Sequence, residues 1–387
     1  GGGREEFWGA PVPEGGMSPR TFGGEFVAQA LLAAAATAPA GFACHSLHCY
    51  FLRPGDSGSG TRYRVERVRD GGTFATRAVT GSQEGGGAVI TLLCSFQAPE
   101  EGLRHGRDLP AGAAARLPQP EGLRSLGESY AWHARDPRVL PGFRAYLSGR
   151  AAQGFVADFR YIDDGDRVRP EKRAPCQRVW MRAEGRLAGP PGAADHQACL
   201  GWLSDFALLD TTLLPHGVPA PSPKLQQASL NHSIYFHAPF RADEWLLHEM
   251  ASPAAAGGRG LAMGLVYDRA GRHVATVVQE GLIRLTHDGG KKIHRALKHR
   301  KLFEAVQPPG GAPGEGGGGD PLLMSASPPP GCRRGEEGVR ACVRACEPRS
   351  RLVGKSKKRP GKKKTLHKYL KCSLCRSPPR ENGPYIL

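Results

Sequence analysis

A single acidic residue, Asp205, lies in an otherwise apolar helical stretch at 198–209. Burying an unpaired carboxylate is costly, so this side chain needs hydrogen-bond donors or a chemical task. It could act as a base, or it could be a structural group that backbone or hydroxyl donors satisfy. The residue alone leaves both alternatives open.

Two other polar positions lie in segments with strand patterns. In the stretch 225–245 polar and apolar residues alternate, so Ser229, Asn231 and Ser233 are predicted to share one strand face. Gln279 follows the apolar run VATVV in another predicted strand, where a buried amide must find partners. The alternatives are a cross-strand hydroxyl pair for Ser229 and a satisfied core amide for Gln279.

Histidines and cysteines give weaker signals. His45 and His232 lie on apolar strand faces, where satisfied core histidines outnumber ligands, and His232 is kept only as a possible supporting residue. In the C-terminal CSLC motif, Cys372 and Cys375 lack regularly spaced partners. We therefore predict neither a metal site nor a cofactor.

The elements that must position these residues occur twice. The stretch 71–97 aligns without a gap with 257–283, each predicting a strand, a glycine turn and a second strand. HSL and HSI occur upstream at nearly the same offset, and an apolar helical stretch precedes each copy, at 22–38 and at 195–209. This shared order indicates a tandem duplication.

Both helical stretches are apolar almost all round, which predicts that they are buried on every side. An antiparallel sheet wrapped around a central helix satisfies that pattern, so we predict an α+β tandem (double) hotdog fold. The expected divisions are an N-terminal unit at 1–98, a connector at 99–154 and a C-terminal unit with the catalytic residues at 155–286. Residues 287–387 form a low-complexity basic tail without apolar periodicity and are predicted to be disordered.

The formal charge of +17 belongs to that tail. Residues 287–387 hold 23 of the 53 Lys and Arg and 8 of the 36 Asp and Glu, which gives +15 there and +2 for 1–286. The stretch KSKKRPGKKK could be a nuclear address or bind phosphate-rich surfaces, but a solvated tail explains it as well. We predict no specific nucleic-acid partner.

The sequence carries few signals of cellular compartment. The scattered cysteines of the body are typical of reduced thiols and favour an intracellular compartment. No apolar run reaches 18 residues, so no membrane span is expected.

Five ordered motifs resemble those of the acyl-coenzyme A thioesterase II family, the double-hotdog thioesterases, and look most like its animal peroxisomal members. They are FGGEFVAQAL, HSLHCYFLRPGD, SDFALLDTTLLPHG, NHSIYFHAPFRADEW and VVQEGLIR, and the likeness covers roughly 20–286. The resemblance implies hydrolysis of fatty acyl-CoA to free acid and CoA without a metal or cofactor. It also implies self-association into a homo-oligomer.

The resemblance places the family's catalytic trio on Asp205, Ser229 and Gln279. Two departures lie nearby: Asn231 stands where the family has Asp, and Glu25 stands where it has Gln. Because carboxylates on central helices serve as bases in other hotdog enzymes, Glu25 is kept as a possible second site.

The implied chemistry is attack by an activated water, with Asp205 as base or orienter and the other two residues fixing the water, without a covalent acyl-enzyme. Two rivals remain: a hotdog enoyl-CoA hydratase, and an acyl-CoA-binding protein without turnover. A tail-driven nucleic-acid binder is a third.

Localisation follows from the resemblance alone. It implies a peroxisomal protein, although the chain ends Tyr385-Ile386-Leu387 and not in a Ser-Lys-Leu-type address. Cytoplasmic residence is the alternative.

Overall fold

The structure is a computed structural model that describes residues 4–12, 20–139, 141–152, 155–164, 171–220, 222, 225–285 and 367–370. The helices are α1 (Gly23–Ala35), α2 (Ala113–Arg116), α3 (Leu126–Ala134), α4 (Pro141–Ala152) and α5 (Ala194–Ser204), with 3-10 turns at Pro120–Gly122 and Leu209–His216. The first strands are β1 (Arg4–Gly9), β2 (Ala43–Phe51), β3 (Thr61–Asp70), β4 (Phe74–Gln83), β5 (Ala88–Gln97), β6 (Ala157–Tyr161) and β7 (Cys176–Ala183). The others are β8 (Leu225–Ser229), β9 (Asn231–Phe236), β10 (Leu246–Ala256), β11 (Arg259–Tyr267), β12 (His273–Leu285) and β13 (His367–Leu370).

The strands form one continuous sheet that is antiparallel except at one edge. Its order is β13-β1-β3-β4-β5-β2-β9-β12-β11-β10-β7-β6, and β8 also pairs with β12. β1 to β5 lie within residues 4–97, and β6 to β12 lie within residues 157–285. The predicted double hotdog is confirmed: each half of the sheet accompanies one buried helix.

The predicted strand–turn–strand repeat is confirmed. β4 and β5 form one antiparallel hairpin, and β11 and β12 form its counterpart. Gly85 and Gly271, matched in the sequence alignment, both adopt positive φ (73° and 88°), a conformation that favours glycine.

The two copies join through β2 and β9, the strands that carry the HSL and HSI motifs. They pair antiparallel, with Leu47 opposite Ile234. Since these two residues are equivalent in the duplication, a pseudo-twofold relation passes through this pair, and the sheet runs unbroken from one copy to the other.

The two central helices pack directly against each other in opposite directions. Gly201, near the end of α5, faces Val27 early in α1. A Cβ on Gly24 would lie 2.5 Å from the carbonyl oxygen of Trp202, so only glycine permits this close approach. The start of α1 therefore lies beside the end of α5, where the sequence places Asp205.

The prediction that both helices are buried all round is confirmed. In α5 every residue from His196 to Ser204 is buried, and α1 is buried over most of its length. The segment at 99–154 contains α2, α3 and α4. Within 287–387 only 367–370 are described, as the strand β13 parallel to β1, so the predicted disorder of the rest lies outside the described residues.

Candidate active site

Asp205, Ser229 and Gln279 meet in three dimensions although they are far apart in sequence. The Ser229 hydroxyl donates to Oδ1 of Asp205 at 3.0 Å, and the Gln279 amide donates to the same oxygen. Gln279 Nε2 also donates to Ser229 Oγ at 2.8 Å. The three groups therefore form a closed hydrogen-bonded triangle.

Three different elements supply the triangle. Asp205 is the residue that ends α5, Ser229 is the last residue of β8, and Gln279 lies within β12. Ser229 is opposite Gly281 in the β8–β12 pair, so Gln279 is two residues along the neighbouring strand and on the same face. The sheet thus places the hydroxyl and the amide side by side beneath the end of the helix.

The carboxylate of Asp205 is buried, and only one of its two oxygens accepts hydrogen bonds from the described residues. The side chain is 7% exposed, and its two hydrogen bonds within the described part of the chain both reach Oδ1. Oδ2 faces the start of α1, since a Cβ on Gly23 would lie 2.7 Å from it. Gln279 is fully buried, and its Oε1 has no hydrogen-bond partner among the described residues. Two acceptor oxygens are therefore left for a further donor.

Aromatic side chains surround this polar group. Phe51 approaches Gly23 closely, and Phe22 makes an edge contact with Trp202 at 4.9 Å between ring centroids. Phe206, directly after Asp205, stacks on Phe159 at 3.9 Å. The triangle therefore lies against an apolar surface.

The expected shared face is wrong for Ser229, whereas Asn231 and Ser233, both in β9, do lie on one face of that strand. The strand is interrupted at Leu230, between β8 and β9, and this shifts the alternation by one residue. The Ser229 hydroxyl donates to Asp205. The Ser233 hydroxyl instead shares a hydrogen bond with Nδ1 of His48, 3.0 Å away, on the exposed side of the sheet.

Asn231 reaches the triangle indirectly. Its Oδ1 accepts the backbone N–H of Glu280 at 2.9 Å, and Glu280 follows Gln279. Asn231 therefore holds the β12 backbone beside the Gln279 side chain.

Glu25 lies elsewhere. It is buried in α1, where it accepts the Val12 N–H at 3.3 Å and lies 3.5 Å from Gln29 Nε2. Gln29 in turn donates to the Ala10 carbonyl, so the described hydrogen bonds of Glu25 lead toward β1 and not to Asp205.

His232 is fully buried near the triangle. Its Nε2 lies 2.9 Å from the Ser204 hydroxyl, one residue before Asp205. Burial lowers the pKa of His232, and the nearby Asp205 carboxylate partly offsets that effect. The imidazole is therefore held neutral in this site.

Cys49 lies directly opposite His232 in the antiparallel β2–β9 strand pair. Burial raises the pKa of its thiol, and the Asp205 carboxylate raises it further. The thiol therefore stays protonated and does not provide a competing nucleophile. Within the described residues no group of three or more His, Cys, Asp or Glu side chains could hold a metal ion.

Two supporting residues, Gly23 and Gln177, have little or no signal in the sequence. Gly23 touches the carboxylate, and the double glycine of FGG was its only signal. Gln177 donates to the carbonyl of Ala207 at 3.0 Å and so holds the turn after Asp205. Nothing in the sequence around Gln177 distinguishes it from other strand residues.

Comparisons with known proteins point to one enzyme family. One family model, the acyl-CoA thioesterase N-terminal domain, matches residues 12–97, and another, the acyl-CoA thioesterase C-terminal domain, matches residues 120–283. Acyl-coenzyme A thioesterase 8 of Mus musculus is 38% identical over 270 residues, covering 69% of this chain and 81% of that protein. The chain belongs to the acyl-CoA thioesterase II family.

Further relatives of this thioesterase span distant organisms. Acyl-CoA thioesterase 2 of Haemophilus influenzae is 33% identical over 285 residues, covering 69% of this chain and 88% of the relative. The crystal structure of an acyl-CoA thioesterase II from Mycobacterium marinum matches with a TM-score of 0.54 and 35% identity, covering 69% of this chain and 91% of that one. The protein is accordingly a thioester hydrolase.

Proposed function

We propose that this thioesterase hydrolyses fatty acyl-CoA to free fatty acid and CoA with a water activated by Asp205 and oriented by Ser229 and Gln279. The observation that carries the proposal is the buried Asp205 carboxylate, one oxygen of which accepts two hydrogen bonds while the other faces the start of α1. The fixed oxygen holds the carboxylate still, and the second oxygen is placed to receive a proton.

A water bound beside the triangle would have two acceptors. Asp205 Oδ2 and Gln279 Oε1 have no donor among the described residues, and a water can donate one hydrogen to each. A lone pair of the water oxygen would then point toward the thioester carbon of the substrate. The amide orientation of Gln279 is consistent with this, because a carboxylate only accepts and so requires the Nε2 side of Gln279.

The reaction then balances with these groups alone. The water oxygen attacks the thioester carbon while Asp205 takes its proton. The C–S bond breaks, and the proton passes from Asp205 to the departing sulfur of CoA. Ser229 orients the water in this scheme and forms no bond to the substrate; its hydroxyl donates to Asp205 and accepts from Gln279.

The start of α1 would stabilise the negative charge on the thioester oxygen. Phe22 precedes the helix and makes no side-chain cap to its first N–H groups. Those groups lie beside Asp205, and the N-terminus of a helix carries a partial positive charge. Removing one such donor typically costs on the order of a hundredfold to a thousandfold in kcat.

The acyl chain would lie against the aromatic side chains around the triangle. Phe51 lies against Gly23, and Phe22, directly before Gly23, contacts Trp202; none of the three offers charge to the substrate. The CoA phosphates would bind basic side chains at the surface.

A product assay separates the thioesterase from its two rivals. The full chain is mixed with octanoyl-CoA, and free CoA and octanoate are measured by chromatography, which avoids thiol reagents that would label the chain's own cysteines. Turnover with equal amounts of both products supports hydrolysis. Binding without product would favour the acyl-CoA-binding alternative, and a hydroxyacyl-CoA formed from 2-octenoyl-CoA without CoA release would favour the hydratase.

We also propose that the protein is peroxisomal and forms homo-oligomers. Peroxisomal acyl-coenzyme A thioester hydrolase 1 of Saccharomyces cerevisiae is 26% identical over 313 residues, covering 71% of this chain and 87% of that protein, which supports the compartment. No helix among the described residues is long and apolar enough to cross a membrane. Co-localisation of the full chain with a peroxisomal marker, against a cytosolic distribution, tests the compartment, and light scattering after size exclusion tests the oligomer.

A further inference from the structure

The four-residue segment 229–232 is hydrogen-bonded to the elements that carry both Asp205 and Gln279. Ser229 bonds the Asp205 carboxylate, and Asn231 bonds the backbone beside Gln279. His232 bonds the hydroxyl of Ser204, the residue directly before Asp205. The segment 229–232 is therefore tied at both ends to the end of α5, through Asp205 and Ser204, and in its middle to β12, the strand that carries the Gln279 amide.

The hydrogen-bonded Ser204–His232 pair is completely buried from solvent. Both side chains have 0% exposure, and the two atoms are 2.9 Å apart. His232 Nδ1 has no partner within the part of the chain that the structure describes. A buried N–H without an acceptor is rarer than a buried acceptor without a donor, so the proton belongs on Nε2, which then donates to Ser204 Oγ.

The end of α5 needs such an anchor. Asp205 is the C-cap that follows Ser204, the last residue of α5, and the chain then turns through Ala207, whose φ is 63°. A helix end is the part of a helix most prone to fray, because its last carbonyls lack intrahelical donors. A hydrogen bond from β9 to Ser204 fixes this end to the sheet one residue before the carboxylate.

We propose that His232 is a positioning residue for hydrolysis, which through Ser204 holds the end of α5 so that the Asp205 carboxylate stays aligned with Ser229 and Gln279. This inference rests on the proposed role of Asp205. It assigns His232 no contact with substrate or water, and it assigns Ser204 only the link between the histidine and the helix.

Three titratable groups face His232 from the elements packed around it. Asp205 comes from the end of α5, Cys49 from β2 and His248 from β10. His248 is equally buried, but its Nε2 has no partner among the described residues and its ring lies against Gly264. It is therefore a matched control for removing a buried imidazole without breaking the link to Ser204.

The test compares His232→Leu, His232→Gln and His248→Leu in the full chain, with kcat and KM for octanoyl-CoA and the unfolding temperature of each. We expect His232→Leu to lower kcat on the order of tenfold to a hundredfold, with KM within about twofold, because a misplaced catalytic group slows the chemical step. His232→Gln, whose amide nitrogen can reach Ser204, should recover most of that loss. His248→Leu should keep the parent kcat.

Equal kcat values in His232→Leu and the parent would overturn the proposal, as would a loss that His232→Gln does not recover. If His232→Leu does not fold, Ser204→Ala and Ser204→Thr decide in the same way: the alanine variant should lose kcat and the threonine variant should retain it. Asp205→Asn is measured alongside. Normal turnover in Asp205→Asn would refute the proposed function, whereas its inactivity together with fully active His232 variants would refute only this inference.

Discussion

Gly23 and Asp205 are in such close contact that no side chain fits between them. A Cβ on Gly23 would lie 2.7 Å from Asp205 Oδ2 and 3.1 Å from Cζ of Phe51. The first helix of one copy of the duplication therefore borders the carboxylate that the other copy supplies.

Replacing Gly23 by Ala should therefore impair catalysis without unfolding the protein. The added methyl group would occupy the space where Oδ2 meets the attacking water, so we expect kcat to fall on the order of a hundredfold. The measurement is CoA release by the folded variant. Gly102→Ala is the control, because a Cβ there meets nothing within 4 Å, and equal activities of the two variants would contradict the proposed position of the water.

The Gln279 amide should be needed as a donor. Gln279→Leu removes the bonds to Asp205 and Ser229, and we expect kcat to fall on the order of a hundredfold or more. Gln83→Leu removes another buried amide, which bonds the Asp56 and Ser59 carbonyls in the N-terminal half, and should cost stability with little effect on kcat. Similar kcat losses in both variants would show that Gln279 acts only through packing.

Gln279→Glu offers a pH test of the same bonds. Two carboxyl groups this close cannot both ionise easily, so the pKa of one of them is raised. An ionised group at position 279 cannot donate, but its protonated form can. We expect the variant's kcat to increase relative to the parent's as the pH falls, and a constant ratio across pH would contradict the requirement for a donor.

The folded state should lose stability in acid partly through His248. Burial, followed by the nearby His232, lowers the pKa of His248 from 6.5 to about 3. The unfolded chain therefore binds a proton that the folded chain does not, so stability present above pH 6.5 is lost as the pH falls toward about 3, by up to about 1.4 kcal/mol per pH unit. Urea unfolding at about pH 7.5 and about pH 5.5 should show a smaller acid loss in His248→Leu than in the parent, and equal losses would contradict this account.

The turn after Asp205 stores backbone strain at Ala207. Its φ of 63° is unfavourable for any residue with a Cβ, so Ala207→Gly should raise the free energy of unfolding by about 0.5–1 kcal/mol. Ala145→Gly, in the exposed part of α4, should lower it by about the same amount. Chemical denaturation measures both changes, and the same sign in both variants would contradict the assignment of strain.

Much of the architecture is predictable because it depends on local periodicity. The helices at 22–38 and 195–209 were expected from continuous apolar runs, and the structure has α1 and α5 there, with α5 ending earlier at Ser204. The hairpins were expected from a repeated strand–turn–strand pattern. Gly217, directly after His216, ends the 3-10 turn with a positive φ, a conformation that favours glycine.

The site was only partly predictable. The resemblance selected Asp205, Ser229 and Gln279, and Asp205 alone was suggested by its own surroundings. The break at Leu230 was missed because a one-residue irregularity leaves the alternation of residue types almost unchanged. The contact between Gly23 and Asp205 was missed because it depends on how two helices distant in sequence pack, which no local pattern specifies.

The measurement that tests the account most directly is CoA release from octanoyl-CoA by Asp205→Asn beside Asp158→Asn. Asp158 is a buried carboxylate of similar exposure, 8% against 7%, but it is paired with Arg160 and lies outside the triangle. We expect a loss of a hundredfold or more in kcat for folded Asp205→Asn, on the order seen when one oriented catalytic group is removed, and near-parent kcat for folded Asp158→Asn. Parent-like turnover by a folded Asp205→Asn variant would contradict it.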